Sequence, residues 1–260
     1  MKPRLFIFGL GYSAGRIAAE AEARGWEVVS TGRDGTLTFD DDGAVRAALA
    51  DCAQVLSSVP PAADGDPVLD SYGDALAGKK LSYLSSTGVY GDCRGAWVDE
   101  TAPTGTGRRT ARSDADAKWL ARGARVLRLP GIYGPGRSAL DRVRDGVARR
   151  IDAPDQVFSR VHVADIVSGA LLALDAPPGA YNLADDLPAS QNSVIEQASR
   201  LLGVAPPPRQ SLDEADLSPQ ARSFYAENRR VANGKAKRVL GWRPQFPTYR
   251  EGLAALLAPT

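Results

Sequence analysis

A glycine-rich turn close to the start of the chain constrains its fold more than any other feature. Residues 5–8 form a short apolar run typical of a buried strand, and residues 9–15 (Gly-Leu-Gly-Tyr-Ser-Ala-Gly) follow it directly. A helical pattern covers residues 13–24, and Gly25 ends it. A strand, a glycine turn and a helix in this order are typical of the first unit of a dinucleotide-binding domain.

Each position of this turn has a physical role in that interpretation. Gly9 permits the tight turn, Gly11 lets the backbone approach a pyrophosphate, and Ala14 lets the helix pack closely against the strand. The first helical turn, with Tyr12 and Ser13, offers free backbone N–H groups to the phosphates. We therefore expect the turn to bind the pyrophosphate of a dinucleotide.

The end of the second strand indicates which dinucleotide is bound. An NAD site normally presents a carboxylate at this point to the ribose hydroxyls. This chain presents Thr31 and Arg33, and a guanidinium binds a 2′-phosphate through its planar fork. Asp34, one residue later, offers a carboxylate and keeps NAD open as the alternative. The choice of residues favours NADP.

Strands continue to alternate with helices along the chain. Such β–α–β units imply a parallel sheet, and right-handed crossovers place helices on both of its faces. The sequence therefore predicts an α/β protein of the Rossmann type, with a doubly wound parallel sheet. The predicted strands cover residues 27–31, 37–39, 54–58, 81–85 and 125–129, and a predicted helix covers residues 108–122. Past residue 135 the alternation is less regular, with strands at 157–163 and 180–183 and helices at 165–174, 190–202 and 250–257.

Composition and charge argue against several other classes of protein. The formal net charge is +1, so we expect no binding to nucleic acid or to an anionic membrane. Cys52, Cys93 and His162 form no metal-binding pattern and no disulfide framework, and His162 is expected to pack between its valine neighbours. No apolar run is long enough for a signal peptide or a membrane span. We expect a cytoplasmic protein that binds a small molecule.

Five further segments carry a resemblance to a known family. Residues 85–91 read Ser-Ser-Thr-Gly-Val-Tyr-Gly, and residues 128–136 read Arg-Leu-Pro-Gly-Ile-Tyr-Gly-Pro-Gly. They are followed by Val-His-Val-Ala-Asp-Ile at 161–166, Tyr-Asn-Leu-Ala-Asp at 181–185 and Leu-Gly-Trp-Arg-Pro at 240–244. In this order they resemble the extended short-chain dehydrogenase/reductase superfamily, also called the NAD-dependent epimerase/dehydratase family.

The resemblance implies a Rossmann core over residues 1–135, which a strand or helix from the later chain completes. Residues 136–260 then form mainly a smaller C-terminal substrate lobe, and substrate lies in the cleft between the two parts. By its position in the motif, Ser86 matches the catalytic Ser/Thr, which hydrogen-bonds the reacting carbonyl or alcohol. The matching cofactor positions are Phe39 and Asp40 on the adenine side, Ser57, Ser58 and Pro60 after the fourth strand, Ser85 at the next strand end, and Pro130, Gly131 and Ile132 beside the nicotinamide.

The chain departs from the family at its main catalytic motif, Tyr-x-x-x-Lys. In that motif the tyrosine is the general acid–base, while the lysine lowers its pKa and holds the ribose. None of the eight tyrosines is followed four residues later by a lysine. If Asp116 aligns with the family's acidic residue, Arg112 takes the lysine position, where it could hold ribose or phosphate, and Arg108 takes the tyrosine position. A guanidinium does not release its proton in proteins, so Tyr90 and Tyr133 remain as candidate acids.

Two functions therefore remain open. The first is an NADP-binding oxidoreductase or epimerase-like enzyme whose substrate is a sugar- or nucleotide-like anion, bound near Arg94, Arg108, Arg112 and Arg137. The second is a non-catalytic NADP(H)-binding sensor or regulatory protein, which the missing Tyr/Lys pair favours. Ser86 in its motif favours the first. We expect little activity on simple ketones, because no positioned acid protonates the alkoxide as it forms. Neither the substrate's identity nor the oligomeric state follows from the sequence.

Overall fold

The computed structural model describes residues 2–107 and 110–257. Its strands are β1 (Arg4–Phe8), β2 (Glu27–Thr31), β3 (Gln54–Ser57), β4 (Lys80–Ser86), β5 (Trp97–Val98), β6 (Arg125–Leu129), β7 (Gly131–Tyr133), β8 (Arg150–Ile151), β9 (Arg160–His162), β10 (Gly179–Asn182), β11 (Arg209–Gln210) and β12 (Arg230–Val231). Its helices are α1 (Tyr12–Ala23), α2 (Asp42–Ala50), α3 (Pro67–Tyr72), α4 (Thr110–Ala121), α5 (Ala139–Arg144), α6 (Val163–Ala173), α7 (Gln191–Leu202), α8 (Pro219–Ser223), α9 (Gly234–Val239) and α10 (Tyr249–Ala255). Short 3-10 helices cover Thr87–Tyr90 and Phe224–Ala226.

Six strands form the central sheet in the order β10-β6-β4-β3-β1-β2, and every pair is parallel. The strand order reverses between β1 and β3, because β2 lies on one side of β1 and all the later strands lie on the other. In a doubly wound sheet, ligands bind in the crevice outside the carboxyl ends of the strands at this reversal. The predicted fold class is confirmed.

Apolar side chains cover both faces of the sheet. One face packs against α1 and α6 through a cluster that includes Ile17, Ile166 and Trp242. The opposite face packs against α2, α3 and α4 through a cluster that includes Val45 and Trp119. Burial on both faces explains why β1 reads as a nearly continuous apolar run, and every residue of β3 and β6 is buried as well. No helix in the described ranges is long and apolar enough to cross a membrane.

The predicted strand at residues 37–39 is wrong. Leu37 makes only a single bridge to Thr31. The Thr36 hydroxyl accepts from the backbone N–H of Ser30 at 3.0 Å and donates to its carbonyl at 3.1 Å, which turns the chain back onto β2. The Phe39 ring then packs against Tyr72 at 5.4 Å between centroids. Side-chain hydrogen bonding therefore replaces a strand ladder here.

The chain beyond residue 135 contributes to both parts of the molecule. β10 pairs with β6 at the edge of the central sheet, and α6 packs against α1. The helices α5, α7 and α10 instead build a separate apolar cluster, which includes Leu140, Val194 and Leu253. We call α5, α7, α8, α10, the chain between Val147 and Phe158 and the segment from Phe224 to Arg229 the C-terminal lobe.

Candidate active site

A cleft of about 780 Å³ lies where the carboxyl ends of β1, β3, β4 and β6 meet the C-terminal lobe. Residues from distant parts of the sequence, from Gly11 to Val231, therefore face one another across it. The predicted site residues that line the cleft are Gly11, Tyr12, Ser13, Ala14, Ser58, Ser85, Ser86, Arg112, Pro130, Gly131, Ile132 and Arg137. Its position at the strand-order reversal is the one expected for a nucleotide site in this fold.

The glycine turn has the geometry that a pyrophosphate needs. Gly9 has φ +80°, and a Cβ there would lie 3.0 Å from the Ser58 hydroxyl oxygen, which donates to the Gly9 carbonyl at 2.7 Å. A Cβ on Gly11 would meet no atom within 4 Å, because this residue faces open space. No side chain caps the N-terminus of α1. The backbone N–H groups of the first turn are therefore available to an anion.

A second cavity, of about 540 Å³, continues from the glycine turn over the end of β2. Arg33 and Asp34, which the sequence places at the end of this strand, both line it. Arg16 lines it too, with its guanidinium carbon 4.0 Å from the centroid of the Tyr12 ring. Arg16 comes one helical turn after Tyr12, and its spacing in α1 was a signal that the sequence analysis missed.

Five predicted cofactor positions line neither cavity. Gly9 shapes the turn from beneath, and the side chain of Ser57 is wholly buried. Phe39 packs in the aromatic cluster with Phe8 and Tyr72, while Asp40 and Pro60 are exposed. Phe39 and Asp40 do not reach the predicted adenine side, because the chain after Thr36 folds back onto β2 instead of forming the predicted third strand.

Ser86 ends β4 and faces the cleft. Its hydroxyl oxygen accepts from the backbone N–H of Gly88 at 3.1 Å, which fixes the side chain at the start of the 3-10 helix. A Cβ built on Gly88 would lie 3.3 Å from Ser86 Oγ and 4.0 Å from Arg229 Nη2. A guanidinium from the later chain and the serine that the family motif identifies therefore border the same space beside Gly88.

A buried polar network lies beneath Ser86. Asp116 accepts from Ser85 Oγ at 2.7 Å and forms an ion pair with Arg128, Nη2 to Oδ1, at 2.7 Å. Arg128 also donates to the Tyr90 hydroxyl at 2.9 Å, which donates in turn to Asn182 Oδ1 at 2.8 Å. Burial by itself lowers the pKa of Arg128, but its hydrogen bonds to Asp116 and Tyr90 outweigh that effect and raise it.

This network corrects the expectation for Tyr90. Its side chain is 1% exposed and lies outside the cleft lining, and burial raises the pKa of its hydroxyl. Its hydroxyl is used on both sides by structural partners, Arg128 and Asn182. Tyr90 is therefore a support for the strand ends and does not reach a substrate.

Tyr133 also points away from the cleft. It belongs to the apolar cluster of the C-terminal lobe, where it contacts α10, and its hydroxyl lies 3.5 Å from the Thr248 carbonyl. Burial and nearby carboxylates raise the pKa of its hydroxyl strongly. Tyr133 was a candidate because its motif borders the cofactor, but side chains alternate along β7, so Ile132 lines the cleft and Tyr133 points into the lobe.

His162 is a helix cap. Its Nδ1 accepts from the backbone N–H of Ala164 at 3.2 Å, and its ring packs against Tyr133 and Phe246. Burial, with a smaller effect of Arg16, lowers the pKa of His162 to about 4. His162 is therefore a packing and capping residue, and it lies outside the cleft lining.

The predicted arginines separate into three groups. Arg112 lines the cleft beside Tyr83, where burial raises the pKa of the tyrosine to about 12. Arg137 also lines the cleft. Arg94 lies on an exposed turn with φ +49° and does not line it. Arg108 lies outside the residues that the structure describes.

The C-terminal half of the cleft is rich in arginine and aromatic side chains that sequence reasoning missed. Arg142, Arg149, Arg160 and Arg229 join Arg112 and Arg137 in the lining. Among the described residues, only Arg229 of these six forms an ion pair, with Glu227 at 2.9 Å. Phe158, Phe224 and Tyr225 provide the aromatic surface. These residues carry no local motif, so only the packing of the lobe brings them together.

The sequence of the chain is similar to those of known bacterial proteins. No protein-family model matches the chain. Protein YeeZ from Escherichia coli K12 is 30% identical over 281 aligned residues, which cover 94% of this chain and 96% of YeeZ. The 3-diazoavenalumate denitrifying reductase of a Streptomyces species is 34% identical over 143 residues, 49% of this chain and 45% of that enzyme.

Solved structures show the same fold over nearly the full length. A conserved protein of unknown function from Silicibacter pomeroyi is 41% identical, with TM-score 0.87 and 98% of each chain covered. The human epimerase family protein SDR39U1, solved with NADPH, is 19% identical, with TM-score 0.78 over 97% of this chain and 98% of that one. The dTDP-glucose 4,6-dehydratase of Bacillus anthracis, solved with NAD, is 15% identical, with TM-score 0.77 over 97% and 94%.

The fold is therefore the one seen in solved proteins of the NAD-dependent epimerase/dehydratase type, as the five sequence motifs predicted. The chain belongs to the family of the Escherichia coli protein YeeZ.

Proposed function

We propose that the protein is an NADP(H)-dependent oxidoreductase that acts on a carbonyl compound carrying a carboxylate or phosphate group. The observation that carries the proposal is the composition of one cleft. Its Rossmann side presents the glycine turn and Ser86, while its lobe side presents arginines that form no ion pair among the described residues. A nucleotide site and an anion site therefore share one cavity, with the motif serine between them.

The residues of the Rossmann side fit a dinucleotide. The uncapped first turn of α1 faces the pyrophosphate position, and Gly11 leaves open space where a side chain would obstruct it. Arg33 and Arg16 line the continuation of the cavity, where two guanidiniums suit a 2′-phosphate. NADPH supplies hydride when bound, and the human relative in fold was solved with NADPH. Pro130, Gly131 and Ile132 form the wall expected beside the nicotinamide.

Ser86 and Arg229 suit the oxygen of a reacting carbonyl. Ser86 accepts its hydrogen bond from Gly88, which leaves the hydroxyl proton free to point into the cleft. Arg229 Nη2 borders the same space beside Gly88, while Nη1 is held by the Gly91 carbonyl at 2.6 Å and by Glu227 at 2.9 Å. Donors fixed before the reaction stabilise charge that develops on the oxygen.

The lobe side selects for a negative charge. Arg137, Arg142 and Arg149 line this half of the cleft, and among the described residues Arg142 and Arg149 donate only to backbone carbonyls of their own neighbourhood at 3.2–3.4 Å. Hydrogen bonds to a charged partner are stronger than those to a neutral carbonyl. An anionic group of the substrate would therefore bind better than the present neutral partners, and a simple ketone has no such group.

We also infer that the protein is located in the cytoplasm and binds a small molecule. Cys52 and Cys93 form no disulfide, as is typical of a reducing compartment. The formal net charge of +1 supports a small-molecule partner in preference to nucleic acid or an anionic membrane.

Arg33→Ala is expected to weaken NADPH binding about 10-fold to 150-fold, because a hydrogen bond to a charged group contributes about 1.5–3 kcal/mol. The affinity for NADH should stay within about twofold, since NADH has no 2′-phosphate to lose. Titration calorimetry with both dinucleotides measures the two effects. Arg24→Ala is the matched control, because Arg24 pairs with Glu20 at the far end of α1. Equal affinity of the unmodified protein for NADPH and NADH would contradict the NADP assignment.

Turnover distinguishes an enzyme from a non-catalytic sensor. We expect NADPH oxidation with para-carboxybenzaldehyde, and a kcat/KM about 10-fold or more below it with para-methylbenzaldehyde, which lacks the anion. Ser86→Ala should lower kcat with the anionic aldehyde about 100-fold to 1000-fold, as loss of one oxyanion donor does. Tight NADPH binding without consumption of either aldehyde would favour the sensor instead.

A further inference from the structure

The cleft holds one tyrosine whose hydroxyl is free to meet a substrate. All eight tyrosines fall within the described ranges, and six of them are buried outside the cleft lining. The other two, Tyr12 and Tyr225, line the cleft. Tyr12 donates to the Pro135 carbonyl at 3.0 Å, and the guanidiniums of Arg16 and Arg137 lie over its ring. Tyr12 is therefore occupied in joining α1 to the loop before α5.

Tyr225 lies on the lobe side, in the 3-10 helix Phe224–Ala226. Its ring packs edge-on against Phe158, with 5.5 Å between centroids, and its hydroxyl forms no hydrogen bond with a residue that the structure describes. Next to Phe158, the Ser159 carbonyl accepts from the backbone N–H of Gly131 at 3.1 Å. Tyr225 therefore packs against Phe158, whose neighbour Ser159 binds the wall that the family places beside the nicotinamide.

The charges around Tyr225 suit an acid. Burial raises the pKa of its hydroxyl, which keeps the phenol protonated at neutral pH, while the guanidiniums of Arg142 and Arg160 act in the opposite direction. Arg160 is held in place by the carbonyls of Phe158 and Ala189, each at 2.8 Å. These two cations favour the tyrosinate that remains when the proton leaves.

The segment that carries Tyr225 is anchored to both sides of the cleft. The backbone N–H of Val231 donates to Ser159 Oγ at 2.9 Å, and Gln156 donates to the Glu227 carbonyl at 2.8 Å. Arg229 reaches across to the Gly91 carbonyl and places Nη2 near Ser86. Tyr225 and Arg229 stand four residues apart, so one segment brings both a phenol and a cation to the cleft.

We propose that Tyr225, supplied by the C-terminal lobe, is the proton donor that replaces the tyrosine of the missing Tyr-x-x-x-Lys motif. The proposal rests on the oxidoreductase function proposed above. The reductant is a reduced nicotinamide dinucleotide, whose hydride forms the new C–H bond. The O–H bond of Tyr225 breaks as an O–H bond forms on the former carbonyl oxygen. The tyrosinate then takes a proton from water, which enters through the open cleft.

Tyr225→Phe tests the assignment. With para-carboxybenzaldehyde and NADPH, we expect kcat to fall about 100-fold to 10,000-fold, the usual contribution of a positioned acid. The calorimetric Kd for NADPH should not change, because the phenol does not touch the dinucleotide phosphates. Tyr181→Phe is the matched control, since its hydroxyl donates to the Pro177 carbonyl away from the cleft. This control should keep full activity, and thermal melting of both variants checks that they are folded.

A second measurement tests whether the Tyr225 hydroxyl is accessible, and it does not depend on turnover. Mild nitration of the protein free of ligands, followed by peptide mass spectrometry, should modify Tyr225 and Tyr12 and leave the six buried tyrosines unmodified. The reduction product, para-(hydroxymethyl)benzoate, added with NADP should protect Tyr225. Absence of nitration at Tyr225 while Tyr12 reacts would overturn the assignment, because the hydroxyl would then not be open to the cleft.

The outcomes separate the two proposals. Turnover by the unmodified protein that persists undiminished in Tyr225→Phe overturns the role of Tyr225 and leaves the oxidoreductase function standing. NADPH binding without turnover of the aldehyde by the unmodified protein overturns both. A large loss in Tyr225→Phe, with unchanged NADPH affinity and protected nitration, supports both.

Discussion

Replacing Asp116 with alanine is expected to lower the free energy of unfolding by about 3–5 kcal/mol, because it leaves the buried guanidinium of Arg128 without its counter-ion. Both side chains are almost fully buried, with 3% and 1% of their side-chain surface exposed. The same carboxylate accepts from Ser85 and fixes the end of β4. Removing this carboxylate therefore also removes a hydrogen bond from the strand that carries Ser86.

Urea unfolding followed by circular dichroism measures this effect. Asp114→Ala is the matched control, because Asp114 is an exposed acidic residue of the same helix, and its loss should change stability by less than about 0.5 kcal/mol. The double variant with Asp116→Leu and Arg128→Met removes both charges and should recover much of the stability. A change below about 1 kcal/mol in Asp116→Ala would show that the pair is not the buried support described above.

Gly11→Val is expected to weaken NADPH binding about 100-fold or more while leaving the protein folded. The valine side chain would enter the open space in front of the uncapped α1 N-terminus, where the pyrophosphate must lie. Losing two or more hydrogen bonds to a charged phosphate, each about 1.5–3 kcal/mol, accounts for that factor. The backbone at Gly11 is extended, with φ −81° and ψ −169°, so valine can adopt it without strain.

Calorimetry with NADPH measures the loss, and the melting temperature checks the fold. Gly43→Val, in α2 away from the cleft, introduces the same side chain where a Cβ would meet only the carboxylate of Asp41 at 3.9 Å. That control should bind NADPH as the unmodified protein does. Undiminished affinity in Gly11→Val would place the dinucleotide elsewhere.

The absence of the Tyr-x-x-x-Lys motif should link substrate binding to proton donation. In a protein with Tyr-x-x-x-Lys, the acid belongs to the Rossmann core and is present whatever the lobe contains. Here the proposed proton donor, Tyr225, belongs to the lobe and is packed among the arginines that would hold an anion. Substrate binding and proton donation would then depend on the same segment, so changes in that segment should alter both together.

Local sequence determined the Rossmann half of the protein. The apolar run of β1, the glycines that follow it and the period of α1 specify a strand, a turn and a helix whatever lies elsewhere in the chain. The same local logic places Ser86 at the end of β4 and Arg33 at the end of β2, because carboxyl ends of parallel strands share one edge. These features depend on hydrogen bonding and side-chain period within a few residues.

The tertiary structure decided which side chains face the cleft. Tyr90 and Tyr133 belong to family motifs, yet packing sends one into the network around Arg128 and the other into the lobe. Tyr225 and Arg229 belong to none of these motifs, and they reach the cleft only because β9, β12 and the 3-10 helices bring residues 130 to 140 positions apart together. The direction of a side chain depends on contacts with distant segments, and no local pattern in the sequence records them.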